Sequence, residues 1–416
     1  MSTPALLAAA GAYVLVFWTV AAFSSRWALM LIFAVVPFQN DVSGGVGPLK
    51  FSLAEVNLLL CLPVTLFKAR RLRFGPTFVP ACIYLGVCLC SAVGQWRPTA
   101  AQSLVQVGMF TVVLVTVFAS LARDAEDYRL AFNGLILVSI FLACSVFVTG
   151  SSYVYGLHKN GVGASLASTF VIALEMRLST RTSRGRLFYL GATLIIGLGC
   201  LATVSRGAWL TAVTGALVLL GIRGRLGLAL KCALVAAPLL AVAWRFLPES
   251  SREYATGFGQ ERTNIKLRYE SIDYAERLFL ANPIQGAGMG LRKDYDATNV
   301  VLLSLAETGL PGLLAFLALN ASLLVAAIGA YRRASPHSLA ASVLAAAPAL
   351  VAGKFMHGLV DHYWSRGSLT AAWATVGMAA LVLDEQRRER RRLARERAAG
   401  TAARGLAALV TQGRVP

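Results

Sequence analysis

The sequence predicts an all-α polytopic membrane protein, and three observations carry that prediction. Of 416 residues, 57% are hydrophobic and only 14% are charged, whereas soluble domains carry about 45–50% apolar and about 25% charged residues. The mean hydropathy is +0.64. Apolar runs recur along most of the chain at or near the roughly 20 residues that cross a hydrocarbon core of about 30 Å.

The first run, Ala5–Phe23, is not followed by a small-residue cleavage site and is one of many. It therefore reads as a retained helix and not as a removed signal peptide. Trp27–Phe38 either closes a tight hairpin with it or forms a short broken helix. From residue 51 the crossings alternate: Phe51–Phe67, Pro76–Gly94, Leu104–Leu121, Arg129–Gly150, Ala164–Met176, Leu187–Thr203, Gly207–Ile222 and Leu226–Trp244. After an external segment come Val300–Tyr331, Leu339–Phe355 and Leu369–Leu383. The expected total is about twelve crossings.

The net charge of +19 is concentrated in short polar breaks: Lys68–Arg73, Arg177–Arg186, Arg223–Arg225, Arg332-Arg333 and Arg387–Arg397. Basic residues close to membrane ends mark the cytoplasmic side. The charge thus reads as a topology signal with anionic-lipid contact, not as a nucleic-acid surface, and it places the C-terminus in the cytoplasm. The seven cysteines all lie in apolar runs and read as packing residues. The organisation expected is transmembrane helices over 1–244, a periplasmic helical segment over 245–299, transmembrane helices over 300–384, and a basic cytoplasmic tail over 385–416.

The external segment is too long for a simple turn. Glu261–Leu280 lacks Gly and Pro and reads as an amphipathic helix. Ile265, Ile272, Ala275 and Phe279 form its apolar stripe, and Arg262, Lys266, Asp273 and Arg277 lie on another face. Arg268 falls inside the stripe, so it either snorkels or faces an anionic group in a covered cleft. A segment of this size without cysteine draws its order from packing on the crossings, as a cap. Gly286, Gly288 and Gly290 read as its flexible return.

Ionisable residues at membrane depth are candidates for function. Ser205-Arg206-Gly207 joins two crossings with almost no loop, which puts Arg206 at the external boundary. His158-Lys159-Asn160 forms a second external loop. His357 and Asp361 are spaced i,i+4, so on a helix the carboxylate can orient the imidazole; His362 follows directly. Glu307 enters the membrane about two turns into its helix, either paired or steering an arginine. Asp294-Tyr-Asp296 has the spacing of a divalent-cation pair, with Arg292 and Lys293 as alternative ion-pair partners.

Asn282-Pro-Ile-Gln-Gly286-Ala-Gly288, Asn299, and Leu305-Ala-Glu307-Thr-Gly309-Leu-Pro-Gly312 together resemble the O-antigen ligase / O-antigen polymerase superfamily, as do Ser205-Arg206-Gly207 and His158-Lys159-Asn160. The resemblance covers roughly residues 150 to 370. It implies a glycosyltransferase of the bacterial inner membrane that needs no metal or other cofactor. The donor would be a glycan on undecaprenyl diphosphate, and the acceptor a lipid or lipid-linked sugar at the periplasmic face. A ligase reaction in lipopolysaccharide or related surface-polysaccharide synthesis is expected first. A polymerase, or a transporter or flippase of lipid-linked sugars, is the alternative.

By the same resemblance Arg206 and Arg268 would hold the diphosphate, with Lys159, Arg262 and Asn299 as further substrate contacts. The family's motif histidine is replaced here by Thr298, which cannot act as a base. His357, oriented by Asp361, is the first expectation for that role and His362 the second.

Overall fold

A computed structural model describes residues 3–40, 50–69, 71–149, 153–246, 249 and 263–411. They form a helical bundle whose single small hairpin, β1 (Tyr153–Val154) and β2 (Leu157–His158), pairs antiparallel outside it. The first half contains α1 (Thr3–Phe23), α2 (Ser25–Ala34), α3 (Leu53–Lys68), α4 (Phe78–Gly94), α5 (Ala100–Leu121) and α6 (Tyr128–Thr149). After the hairpin come α7 (Lys159–Ser179), α8 (Ser183–Ala202), α9 (Arg206–Ile222) and α10 (Leu226–Phe246). The chain continues with α11 (Thr263–Ala281), α12 (Leu291–Asp294), α13 (Val300–Tyr331), α14 (Leu339–Gly358) and α15 (Ser368–Thr411). Among the described residues six helices, α5, α6 with its preceding turn, α7, α8, α13 and α14, are long and apolar enough to cross a membrane, and shorter apolar helices accompany them. Polar side chains inside these helices return their hydroxyls to the preceding turn, as Thr111 does to Val107 O and Thr169 to Ser165 O, which satisfies them without water.

Contacts sort the helix ends into two groups. At the basic end, Lys68 Nζ donates to Ala21 O at 2.9 Å, Arg26 pairs with Asp127 at 3.0 Å, and Arg73 donates to the carbonyls of Ala119 and Ala122. Arg71 pairs with Asp384, and Arg223 with Glu175, at this same end. Because Lys68 reaches the last carbonyls of α1, the turn at Ser24 lies at the basic end. The first two helices therefore form a hairpin whose second member, Ser25–Ala34, is a short helix of 10 residues. At the opposite end Gln39 Nε2 donates to Gly161 O, Arg366 pairs with Glu55, and Arg97 Nε donates to Ala287 O.

Helix α13 is broken at Gly309, whose backbone (φ 65°, ψ −168°) is not helical, and Pro311 follows it. The returning loop occupies the break. Ala287 N donates to Ala306 O at 2.7 Å, and Leu310 N donates to Pro283 O at 2.8 Å, so backbone groups released by the kink find partners. The Glu307 carboxylate accepts from the backbone N–H groups of Gly290 and Arg292 at 3.0 and 3.1 Å. Of the two readings of Glu307, the paired one is observed. Gly286, Gly288 and Gly290 are buried at positive φ, and a Cβ on Gly286 would collide with the Glu307 backbone. They are close-packed anchor points, which corrects their expected part as a flexible return.

Helix α11 spans nearly the range expected from its periodicity. Ser271 and Ala275 are buried, Arg268, Ile272, Leu278 and Phe279 are half-buried, and the helix packs on α13. The side chain of Ile265 lies outside the described residues. The basic tail does not separate from the last crossing: α15 runs unbroken from Ser368 to Thr411. Its exposed part carries side-chain pairs such as Arg392–Glu389 and Arg388–Asp384, which support a helix without a core face.

Candidate functional site

Three helix beginnings and one helix end meet at the end of the bundle opposite the basic one. Helix α7 opens at Lys159 behind His158, whose Nδ1 accepts from Asn160 N at 3.3 Å. Helix α9 opens at Arg206 after a tight turn in which Val204 adopts φ 51°. Gly163 on α7 leaves no room for a Cβ against Thr203, Ser205 and Ala208, so these two beginnings touch. Helix α13 opens behind Asn299, whose Oδ1 accepts from Val301 N and Leu302 N. The helix dipole makes such ends favourable to anions.

Helix α14 ends at this meeting point, and the turn after it, residues 359–366, ties the parts together. Asn299 Nδ2 donates to Leu359 O at 3.3 Å, and Arg268 Nη1 donates to Val360 O at 2.5 Å. Asp361 N continues the helical pattern by donating to His357 O at 2.9 Å. The Asp361 carboxylate accepts from Asn160 Nδ2 at 3.3 Å and from His362 N at 2.8 Å. Burial pushes its carboxyl up, but His357, His362 and the His362 N–H outweigh this and hold it below the usual carboxylate range.

The two histidines of this turn differ in setting. His357 is 3% exposed and its ring lies against Gly207, where a Cβ would stand 2.7 Å from Cδ2. Its Nε2 is 3.7 Å from Asp361 Oδ2, too long for a hydrogen bond, and its buried Nδ1 has no partner among the described residues. His362 is exposed, and its Nδ1 lies 2.7 Å from Asp296 Oδ2. That bond, joined by the nearby charges of Asp296 and Asp361, raises the imidazole above its ordinary value against the opposing effect of burial. The other oxygen of Asp296 accepts from Thr298 N at 2.9 Å. One carboxylate therefore links His362 to the backbone of Thr298, the position at which the resemblance would place a histidine.

Lys354, 1% exposed, braces this turn from below. Its ammonium donates to His362 O at 3.0 Å and to Ser365 Oγ at 2.9 Å, beside the Tyr363 ring. A buried lysine nitrogen bonded in this way fixes the backbone that carries His362.

The sequence-derived set is thus largely gathered. His357, Asp361, His362, Asn299 and Arg268 share the 357–362 turn. Lys159, half-buried, sits beside Asn160, and Arg206, half-buried, adjoins Gly207 under His357. Asn299 is occupied at both ends of its amide as a helix cap. Arg262 lies outside the described residues, as does the side chain of Asp294. Arg292 and Lys293 do not pair with Asp296 as the sequence suggested. Arg292 turns inward to Ser103 and lies 4.6 Å from the Trp364 ring centroid, while Lys293 reaches Gln106. Asp296 and Lys354 are the residues sequence reasoning passed over as site members. Asp296 was visible only as half of an Asp-x-Asp pair, and Lys354 only as a lysine in an apolar run. Among the described residues no three His, Cys, Asp or Glu side chains form a metal-holding cluster.

Residues 191–317 match the family model described as O-antigen ligase. That stretch contains Arg206, Arg268, Asp296, Thr298, Asn299 and the kinked first half of α13. Within a multi-helix membrane protein, the chain thus carries a region similar to the O-antigen ligase family, which acts in surface-polysaccharide synthesis. No curated protein matches the chain.

Proposed function

We propose that the protein is a glycosyltransferase that moves a glycan from undecaprenyl diphosphate onto an acceptor sugar hydroxyl. The reaction takes place at the periplasmic face of a bacterial inner membrane and is of the ligase type. The observation that carries this reading is the 359–362 turn. It accepts a hydrogen bond from Arg268, abuts the Arg206 helix through His357, and presents His362 on a carboxylate. Cations from two other helices and a proton acceptor are thereby gathered around one turn, which is what the reaction needs.

The donor bond that breaks joins the sugar anomeric carbon to a phosphate oxygen. Charge accumulates on the departing diphosphate, and Arg206, Arg268 and the N-termini of α7 and α9 supply fixed positive potential to stabilise it. The acceptor hydroxyl attacks the anomeric carbon as its proton passes to Nε2 of His362. Asp296 holds Nδ1 protonated, orients the ring and stabilises the imidazolium formed. His362, not His357, takes the base role in this reading, because the exposed His362 side chain can meet a substrate hydroxyl while the His357 ring is enclosed. His357 and Asp361 instead position the turn and the Arg206 helix.

The reading is tested with purified full-length protein, polyprenyl-diphosphate-linked glycan and candidate acceptors. Transfer to a lipid-anchored core sugar supports ligation. Extension of the lipid-linked glycan itself would replace ligase by polymerase. Absence of any glycan transfer, together with unchanged surface glycans in a deletion strain, would overturn the reading.

A further inference from the structure

An open cleft of about 580 Å3 lies on the outward side of α11, lined by Glu270, Asp273, Tyr274, Arg277 and Tyr295. Its size is in the range of ligand pockets, about 300–1,000 Å3. Tyr274 and Tyr295 meet edge to face with centroids 4.8 Å apart, and both are half-buried, so a part of each ring remains open. Glu270, Asp273 and Arg277 are exposed along the rim. Lys266 approaches Glu270 at 3.9 Å, while Asp273 and Arg277 have no ion-pair partner among the described residues. This part of the surface does not belong to the 357–362 turn, yet it touches it in sequence: Tyr295 directly precedes Asp296, the carboxylate that holds His362.

We infer that this cleft binds an uncharged stretch of oligosaccharide, as a sugar subsite beside the reacting centre. The lining suits that ligand on three grounds. Tyrosine rings offer flat apolar faces with a polar tip, matching a sugar ring with a C–H face and hydroxyl edges. Carboxylates accept from, and a guanidinium donates to, neighbouring hydroxyls. Two carboxylates against one guanidinium leave no excess positive charge in the lining, so a phosphate gains nothing there, in contrast to the Arg206–Arg268 side. Tyr295 ties the cleft to the site through the backbone, since it directly precedes Asp296, the carboxylate on which His362 rests. The subsite rests on the glycosyltransferase reading for its role, but its binding can be measured independently of turnover.

The probe is a set of neutral oligosaccharides cut from the host's own surface polysaccharide, free of lipid and phosphate, added to full-length protein in detergent. Saturation-transfer NMR should detect binding. Tyr274→Ala or Asp273→Asn should weaken it by about tenfold or more, while Tyr274→Phe, which keeps the ring, and Arg392→Gln, on the distant tail, should retain it. In transfer assays Tyr274→Ala should raise KM for the glycan substrate and leave kcat within about twofold. Binding that is absent in the wild type, undiminished in both Tyr274→Ala and Asp273→Asn at wild-type elution volume, or replaced by a preference for inorganic phosphate overturns the subsite. Oligosaccharide binding that depends on Tyr274 in a protein that transfers nothing would retain the subsite and overturn the transferase reading alone.

Discussion

The Nδ1 atom of His362 stands 2.7 Å from Oδ2 of Asp296, while Oδ1 of the same carboxylate receives the N–H of Thr298 at 2.9 Å. An imidazole from the turn after α14 is thus delivered beside a threonine that occupies a motif histidine position.

If His362 is the proton acceptor, His362→Ala should lower kcat by about 10²–10⁴-fold, and His357→Asn should lower it less. The group must be neutral to accept a proton, and Asp296 raises its value, so activity should rise with pH through a limb above the ordinary histidine value of about 6.5. Asp296→Asn should move that limb to lower pH and reduce the plateau. Initial rates between about pH 5.5 and 9 decide this, and a profile identical to wild type in Asp296→Asn removes Asp296 from the mechanism.

Arg206→Ala and Arg268→Ala should each lose about 1.5–3 kcal/mol of transition-state stabilisation, roughly a 10- to 150-fold fall in kcat/KM. Lysine at either position should recover only part of it, because bidentate geometry to phosphate is lost. Rates on polyprenyl-diphosphate glycan, with membrane expression equalised, provide the measurement. Full activity in either alanine variant would exclude that arginine from diphosphate binding.

At the basic end Arg223 Nε donates to Glu175 Oε2 at 2.9 Å, with both side chains nearly enclosed (5% and 1% exposed). Removing one partner strands the other charge, so Glu175→Ala should destabilise the protein by about 3–5 kcal/mol. Thermal unfolding in detergent should show a clearly lower Tm, while the protein that remains folded keeps its turnover because the pair lies at the far end from the site.

Gly286→Ala should impair folding, since the new Cβ meets the backbone of Glu307 and the residue holds φ 74°. The strained backbone alone costs about 1–3 kcal/mol. Gly86→Ala, where nothing stands within 4 Å of the new atom, should be neutral to within about 0.5 kcal/mol. Equal yields and unfolding temperatures for the two variants would show that the return loop tolerates displacement from the kink.

Much of this protein is determined by sequence alone, because a hydrocarbon environment admits few solutions. Long apolar runs must become helices, basic breaks declare one end of the bundle, and a polar stretch with helical periodicity must pack as α11. The same reasoning brought Arg206, Arg268, His357, Asp361 and His362 into view, since polar groups in such settings are costly without a use. What tertiary structure decided is which of these groups meet and in what state. The partner of Asp296 is His362 and not Arg292 or Lys293, because Arg292 is drawn inward to Ser103 and Trp364. Gly309 breaks α13 because the 282–290 loop can fill the gap, which neither segment reveals alone. In sequence His357 ranks ahead of His362, because of its i,i+4 spacing to Asp361. Only packing encloses one against Gly207 and leaves the other open on a carboxylate, and packing depends on contacts between distant segments that no local pattern encodes.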